Sequence, residues 1–230
     1  MLLHGGGSTI ESTFGRILPA LAAHHRVVAV ELQAHGRTPD IDRPLTFEQD
    51  ADDAAALLGH LGIAQADVMG FSNGGTTALQ MAIRHPRLLR KLVVISALYR
   101  RDGMVDGFWD GMQKASLDVM PIPLAEAFLK VNPDRAGLQR MFDRDKARML
   151  AFTDIDEGEL RLVQAPALIV NGDADVVRTE HAVALSRLLP HGRLAILPGR
   201  HGEAVGEVTC EDDPRLRLFV SAVIDRFLEE

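Results

Sequence analysis

The chain of 230 residues is 47% hydrophobic, enough to bury one sizeable core and a small accessory lobe. Its formal net charge of −7 and isoelectric point of about 5.7 argue against a surface that binds nucleic acid. The single cysteine, Cys210, excludes a disulfide framework and a cysteine-based metal site, and no apolar run has the length of a membrane span.

The predicted elements at the start of the chain alternate between apolar strands and helices. Met1–Leu3 is typical of the end of a strand, and a glycine-rich loop follows it. Helical spacing runs from Glu11 to His24, where Pro19 is expected to break or restart the helix. The apolar run Arg26–Leu32 predicts a strand that is covered on both faces, as in a parallel sheet.

The next predicted elements continue this alternation. Thr46 and Gln49 have the spacing of a capping box that opens a helix. Residues 65–69 then predict a buried strand, residues 76–83 a helix, and residues 91–96 the next strand. Strands and helices that alternate with short loops predict βαβ units, right-handed crossovers and a parallel sheet.

The pattern changes between residues 98 and 164, where no clear strand is predicted and helical stretches carry scattered methionines and aromatic residues. We predict that this segment is a helical cap inserted into a core that comprises residues 1–97 and 165–230. The strand pattern returns with Ala167–Gly172 and Arg193–Leu197, and an amphipathic helix ends the chain.

The segment Gly70–Gly75, with the sequence GFSNGG, places Ser72 between a predicted strand and a predicted helix. Glycine stands two residues before the serine and two after it. In a sharp strand-to-helix turn the serine backbone is strained, and side chains at those two positions would clash. The hydroxyl would lie at the carboxyl end of the sheet, beside a helix N-terminus that favours developing negative charge. The motif therefore predicts a catalytic nucleophile rather than an ordinary glycine-rich turn.

Four features in this order resemble the α/β-hydrolase superfamily, and the resemblance covers nearly the whole chain. They are His4-Gly5-Gly6 after a strand, the Gly70–Gly75 turn, Gly172-Asp173-Ala174-Asp175 after a later strand, and His201 after the last strand. The resemblance implies an α/β fold with a mainly parallel sheet of about six strands, flanked by helices and carrying a small helical cap. The two strands that open the family's sheet are absent from the sequence.

This resemblance also implies that residues 26–32 form an edge strand of the sheet. Their apolar composition would make an exposed edge there a site of unwanted strand pairing. We therefore expect something to cover this edge, either a partner chain, as in a homodimer, or residues that precede the start of this sequence.

A serine nucleophile needs a base within hydrogen-bonding distance, and the chain has nine histidines. His201 follows the last predicted strand at the same sheet edge as Ser72, so we expect it to be the general base. His181 is the alternative. In the superfamily, positions such as those of His4 and His35 support the geometry of loops.

The acid that orients the imidazole is expected after the strand Ala167–Gly172, where Asp173 and Asp175 both stand. The resemblance favours Asp175, because the acid of the family usually falls three residues after the glycine. The remaining aspartate would then cap a helix or bond to the turn.

A tetrahedral intermediate needs hydrogen-bond donors aimed at its oxyanion. The backbone N–H of Asn73, which follows the nucleophile, is the first expected donor. By resemblance we assign the second donor to Gly6, with Gly5 as the fallback, because glycine permits close approach of the backbone.

These residues predict a cofactor-independent serine hydrolase, without a metal site, that cleaves a small carboxylic ester or lactone through an acyl-enzyme. The cap residues that line the opening would make the substrate mainly apolar. The same residue types serve carbon–carbon bond hydrolases and cofactor-free peroxidases, and a small-molecule receptor could keep the triad with little turnover. A small-molecule substrate is the expected partner, with no nucleic acid and no membrane. No secretory signal precedes the first motif, so we expect a soluble cytoplasmic protein.

Overall fold

A computed structural model describes all 230 residues of the chain, with six strands and ten α-helices. The strands in chain order are β1 (Leu2–Leu3), β2 (Ala29–Val30), β3 (Ala66–Phe71), β4 (Leu89–Ile95), β5 (Ala167–Gly172) and β6 (Gly192–Leu197). The helices are α1 (Ile10–Phe14), α2 (Leu18–His24), α3 (Phe47–His60), α4 (Asn73–Arg84), α5 (Phe108–Lys114), α6 (Ile122–Val131), α7 (Arg135–Ala151), α8 (Glu157–Arg161), α9 (Thr179–Leu188) and α10 (Pro214–Glu229). None of these helices combines the length and the apolar character that a membrane crossing requires.

The six strands form one parallel sheet in the order β2-β1-β3-β4-β5-β6, which confirms the predicted fold class. Successive residues of the central strands belong to different hydrophobic clusters. Val94 packs in the cluster that contains residues of α3, α4 and α9, whereas Ile95 packs in the cluster that contains residues of α1, α2 and α10. Because side chains alternate across a strand and helices cover both faces, each central strand is apolar along its whole length.

The edge strand β2 is shorter than the predicted strand over residues 26–32. Only Ala29 and Val30 join the ladder, because their neighbour β1 itself offers only Leu2 and Leu3 as partners. Its position at the sheet edge is confirmed. The expected cover over this edge stays a prediction.

Two helix starts can be compared with the local sequence signals that predicted them. Pro19 lies in the first turn of α2, so the chain restarts a helix there, as predicted. Thr46 caps α3 by accepting a hydrogen bond of 3.1 Å from the backbone N–H of Gln49. The reciprocal half of the predicted capping box is absent, and the side-chain amide of Gln49 instead points to Asp53, to which it donates at 3.2 Å.

Helices α5 to α8 lie between β4 and β5, and we call residues 98–164 the cap segment. The middle of this segment has a small cluster of its own, made of Phe128, Leu138 and Met141. Its last part belongs to the main hydrophobic cluster, through residues such as Phe152 and Leu160. The first part of the segment belongs to the same cluster, through Leu98, Tyr99 and Met104, so the cap segment is anchored in the core at both ends. Its predicted division from the core as a separate unit stays a prediction.

Candidate active site

Ser72 joins the end of β3 to the start of α4 with φ = 53° and ψ = −122°, a backbone conformation that an ordinary residue avoids. The two flanking glycines make the turn possible. A Cβ atom on Gly70 would lie 2.1 Å from the carbonyl oxygen of Gly74, and one on Gly74 would lie 2.1 Å from that of Leu3. The strand and the helix are thus too close together for any side chain at these two positions.

Ser72, His201 and Asp175 lie in hydrogen-bonding contact, although they are far apart in the sequence. Nε2 of His201 is 3.1 Å from Oγ of Ser72, and Nδ1 is 2.8 Å from a carboxylate oxygen of Asp175. An ionised Asp175 carboxylate accepts hydrogen bonds but cannot donate them, so Nδ1 of His201 carries the proton. Nε2 of the neutral ring is then free to accept from the serine hydroxyl.

The electrostatics of this pair favour a charged imidazole. Burial lowers the pKa of His201, but the hydrogen bond and the charge of Asp175 outweigh it, so the pKa lies above the ordinary histidine value. For Asp175 burial acts in the opposite direction and raises the pKa of the carboxyl, but the hydrogen bond from His201 brings this pKa below the ordinary aspartate value. The site can therefore hold a proton on His201 while Asp175 stays ionised.

The two alternative residues lie elsewhere. The carboxylate of Asp173 accepts a hydrogen bond of 2.9 Å from the backbone N–H of Gly199, which is the turn-bonding role expected of the remaining aspartate. Nε2 of His181 accepts from the backbone N–H of Tyr99 at 3.0 Å, and its ring stacks on the tyrosine ring. Neither residue hydrogen-bonds to Ser72.

Ser96 is a contact of the site that sequence reasoning missed. It stands at the end of β4 with a positive φ of 52°, and its hydroxyl donates to the second carboxylate oxygen of Asp175 at 2.6 Å. The backbone N–H of Val177 donates to the first oxygen at 3.0 Å. The available signal was the position of Ser96, the last residue of a predicted strand and at the same edge of the sheet as Ser72.

The loop after β1 holds the predicted oxyanion donor. The backbone N–H of Gly5 donates to the Thr13 hydroxyl at 3.3 Å, and Nδ1 of His4 lies 2.7 Å from the Gly5 carbonyl oxygen. The next backbone N–H, that of Gly6, has no hydrogen-bond partner within the protein. Burial lowers the pKa of His4 to about 3, so this histidine is neutral and donates from Nδ1.

Asn73 lies against this loop. A Cβ atom on Gly6 would lie 2.4 Å from the side-chain nitrogen of Asn73, so a larger residue there would require the Asn73 side chain to move. Asn73 is also the first residue of α4, where a backbone N–H has no intrahelical acceptor. The backbone amides of both predicted donors thus lie close to Ser72 and are available for an external acceptor.

The second missed residue, Asp145, comes from α7 of the cap segment. One oxygen of its carboxylate accepts from the backbone N–H of Gly7 at 2.5 Å and from Nε2 of His35 at 2.9 Å. The other oxygen is paired with Arg148, which also pairs with Asp50. No sequence signal singles out Asp145, since α7 carries many charged residues.

This cluster is buried, and its charges balance. Both ring nitrogens of His35 face acceptors, namely the carbonyl oxygen of Gln33 and the Asp145 carboxylate. Burial lowers the pKa of His35, but Asp145 raises it above the ordinary value. Burial raises the pKa of Asp145, but Arg148 and His35 bring it well below the ordinary value. Two cations, His35 and Arg148, therefore face two carboxylates, Asp145 and Asp50.

A cavity of about 400 Å³ lies between Ser72 and the cap segment. Its polar lining consists of Ser72, Asn73, Ser96, Asp145, Lys146 and His201. Its apolar lining from the cap segment includes Met104, Phe108, Met112, Met120, Phe142 and Met149. A second cavity of about 380 Å³ lies at the amino ends of the strands and is lined by residues such as Met1, Val28 and Asp67. Neither Ser72 nor His201 lines it, so we assign the chemistry to the first cavity. No group of three or more histidine, cysteine, aspartate or glutamate side chains has the arrangement of a metal site.

Comparison with known proteins gives three findings. Residues 1–118 match the family described as alpha/beta hydrolase fold. The chain is 31% identical to serine hydrolase BPHL of Homo sapiens over 175 residues, which cover 73% of this chain and 59% of the relative. It is 37% identical to the pimeloyl-[acyl-carrier protein] methyl ester esterase of Neisseria meningitidis serogroup B (strain H44/76 of serotype 15) over 99 residues, which cover 43% of this chain and 36% of the relative.

Among solved structures, the meta-cleavage product hydrolase of Pseudomonas fluorescens IP01 superimposes with a TM-score of 0.79 at 18% identity. The superposition covers 98% of this chain and 89% of that one. At this identity the likeness concerns the fold. The chain spans little more than half the length of the human relative, so the activity of that whole protein does not transfer by alignment.

Proposed function

This chain belongs to the alpha/beta hydrolase fold family, and from that premise we propose that it is a serine hydrolase acting on a small, mainly apolar carboxylic ester or lactone. The observation that carries the proposal is the hydrogen-bonded series Ser72, His201 and Asp175, with distances of 3.1 and 2.8 Å. Such a series turns a weakly nucleophilic hydroxyl into a reactive one.

In the proposed reaction Nε2 of His201 takes the proton of Ser72 as the hydroxyl oxygen attacks the substrate carbonyl. Asp175 stabilises the imidazolium that forms. The imidazolium then gives its proton to the leaving alkoxide, and an acyl-enzyme remains. In the second half, His201 takes a proton from a water molecule as the water oxygen attacks the acyl-enzyme. His201 then returns this proton to Ser72, and the carboxylic acid is released.

The oxyanion of each tetrahedral intermediate would accept from the backbone N–H groups of Gly6 and Asn73. Two fixed donors at such a site commonly supply several kcal/mol of transition-state stabilisation, and removing one costs about 10² to 10³ in kcat. The start of α4 beside Ser72 adds the favourable potential of a helix N-terminus.

The cavity supports the proposed substrate class. A volume of about 400 Å³ lies in the lower part of the range for small-molecule sites. Because methionine and aromatic side chains form its cap wall, the part of the substrate that faces the cap should be apolar.

The experiment is labelling with a fluorophosphonate, followed by turnover of a panel of short aryl esters, lactones and vinylogous diketones. We expect the wild type to be labelled and to hydrolyse esters or lactones, and Ser72→Ala to do neither. Ser116→Ala is the matched control, because Ser116 is an exposed cap residue that does not line the cavity. Failure of the wild type to be labelled, together with no ester or lactone turnover, would reject the proposal.

The same panel separates the alternatives. Turnover of vinylogous diketones without ester hydrolysis would identify a carbon–carbon bond hydrolase. Halide-dependent peroxidation that is lost in Ser72→Ala would identify a cofactor-free peroxidase. Labelling with ligand-induced stabilisation but negligible turnover would identify a small-molecule receptor. A cytoplasmic location and a homodimer remain predictions.

A further inference from the structure

We call Gly5–Gly7, in the loop after β1, the oxyanion loop. Its Gly6–Gly7 peptide is held from two sides, and one of its contacts comes from the cap segment. The Ser8 hydroxyl lies 3.2 Å from the carbonyl oxygen of Gly6. The backbone N–H of Gly7 donates to the Asp145 carboxylate on α7 at 2.5 Å. We propose that Asp145 is a positioning residue for the oxyanion donor. It fixes the Gly6–Gly7 peptide so that the preceding N–H, that of Gly6, faces the reacting carbonyl.

The composition of the loop explains why it needs such a contact. Gly5, Gly6 and Gly7 have no side chains that could pack, and glycine has the largest conformational freedom to lose on folding. Gly7 adopts a positive φ of 65°, which glycine tolerates but does not specify. The Gly6 N–H belongs to the Gly5–Gly6 peptide, whose carbonyl oxygen accepts from Nδ1 of His4 at 2.7 Å. The hydrogen bond from Gly7 to Asp145 fixes the peptide on the other side of Gly6, so the two contacts together set the direction of the Gly6 N–H.

The buried cluster explains how a carboxylate can lie beside an oxyanion site. An ionised carboxylate is a stronger acceptor than an amide or a hydroxyl, and therefore a better anchor for a backbone N–H. Left unpaired, its charge would repel the oxyanion that the site must stabilise. Arg148 and His35 both contact the Asp145 carboxylate and compensate its charge.

A neighbouring residue supplies the control that separates loop positioning from general docking of the cap. Arg144 precedes Asp145 on α7 and pairs with Asp40, in the loop that follows β2. Both residues thus connect the same helix to the core by an ion pair. Arg144 makes no hydrogen bond to the Gly5–Gly7 loop and does not line the cavity.

The test compares Asp145→Asn with Arg144→Gln on an ester that the wild type hydrolyses. We expect Asp145→Asn to lower kcat at least about tenfold while KM stays within about threefold of the wild type. A misdirected donor reduces the stabilisation of the transition state and leaves the binding of the substrate nearly unchanged. The affinity for a trifluoromethyl ketone, which forms a tetrahedral oxyanion on Ser72, should fall in the same proportion. The affinity for the uncharged alcohol product should stay unchanged, and Arg144→Gln should keep kcat within about threefold.

Two results would overturn the inference. One is an unchanged kcat in Asp145→Asn. The other is an equal loss of kcat in both variants, together with equal losses of affinity for the product and for the trifluoromethyl ketone. That pattern would indicate that the two residues dock the cap and that Asp145 does not place the donor.

The inference rests on the proposed function, and the two can fail separately. A wild type that is not labelled at Ser72 rejects the proposed function, whereas a labelled wild type with an unimpaired Asp145→Asn rejects only the role of Asp145. Should Asp145→Asn not fold, amide hydrogen exchange in the wild type decides. The inference requires that the Gly7 amide is protected in the free enzyme and that the Gly6 amide becomes protected when the trifluoromethyl ketone is bound; rapid exchange at Gly7 would overturn it.

Discussion

The core wall of the cavity presents polar groups at the ends of strands, whereas the wall from the cap segment presents mainly methionine and aromatic side chains. On the core side every polar side chain of the triad has fixed partners, and Asp175 alone accepts from His201, Ser96 and Val177. On the cap side most contacts are apolar and lack direction. Under the proposed function, the core would determine which bond is broken and the cap would determine which molecule fits, with Asp145 as the cap residue that contacts the oxyanion loop.

The largest expected effect comes from the acid on the core wall. Asp175→Asn should lower kcat about 10⁴-fold, because an amide at this position favours the wrong tautomer of His201. Asp173→Asn is the matched control, since Asp173 follows the same strand but bonds to the backbone of Gly199, and it should stay within about threefold of the wild type. Steady-state kinetics on one ester measures both variants, and equal losses would contradict the assignment of the acid.

The second effect concerns the rigidity of the core wall at the serine turn. Gly74→Ala should lower the free energy of unfolding by at least about 3 kcal/mol or prevent folding, since its Cβ atom would lie 2.1 Å from the Leu3 carbonyl oxygen. Gly59→Ala, in α3, has open space around the new methyl group and should stabilise the protein by as much as about 1 kcal/mol. Urea denaturation measures both. A Gly74→Ala protein of wild-type stability would show that the turn is less crowded than described.

The third effect is the pH dependence of the core chemistry. Since His201 must be neutral to accept the serine proton, and Asp175 raises its pKa above the ordinary value of about 6.5, kcat/KM should already fall as the pH drops towards neutrality. Below that pKa the loss should be about tenfold per pH unit. In Asp175→Asn the midpoint should move to lower pH, because the partner that raises the pKa is gone. A kcat/KM profile that stays flat down to pH 5 would contradict this role for His201.

The smallest expected effect tests the cap wall. Met112→Ala should enlarge the cavity and shift the preference towards longer acyl chains by about tenfold in relative kcat/KM, while kcat for the best short ester changes little. Ile122→Ala is the matched control, because Ile122 is an exposed cap residue that does not line the cavity. A large loss of kcat for every ester in Met112→Ala would contradict the division of roles between the two walls.

The fold and its parallel sheet could be predicted because their signals are local. The glycine spacing around Ser72 specifies a turn within six residues, and the apolar strands show that both sheet faces are covered. In the same way, the positions of Asp175 and His201 directly after strands indicate the edge of the sheet at which they lie. Their catalytic roles stay predictions.

The rest depends on contacts that the sequence does not encode locally. Asp145 and Gly7 are 138 residues apart, and which face of α7 meets the loop follows from the packing of the whole cap segment. The length of β2 was overestimated because it depends on its neighbour β1, which provides two residues of ladder. The half-formed capping box at Thr46 has a similar origin, since Asp53 competes for the Gln49 side chain.

The anchoring of the cap segment at both of its ends limits how the cavity can open. Met149 and Phe152, at the end of α7, are buried in the main hydrophobic cluster, whereas Phe128 belongs to a cluster confined to the cap segment. Helix α5 also packs against the main cluster, through Phe108, Trp109 and Met112, so only the middle of the cap segment packs mainly on itself. We therefore expect substrate entry to require movement of this middle part rather than of either end. Asp145 lies one helical turn before the anchored Met149, so the contact between Asp145 and Gly7 should persist during such a movement.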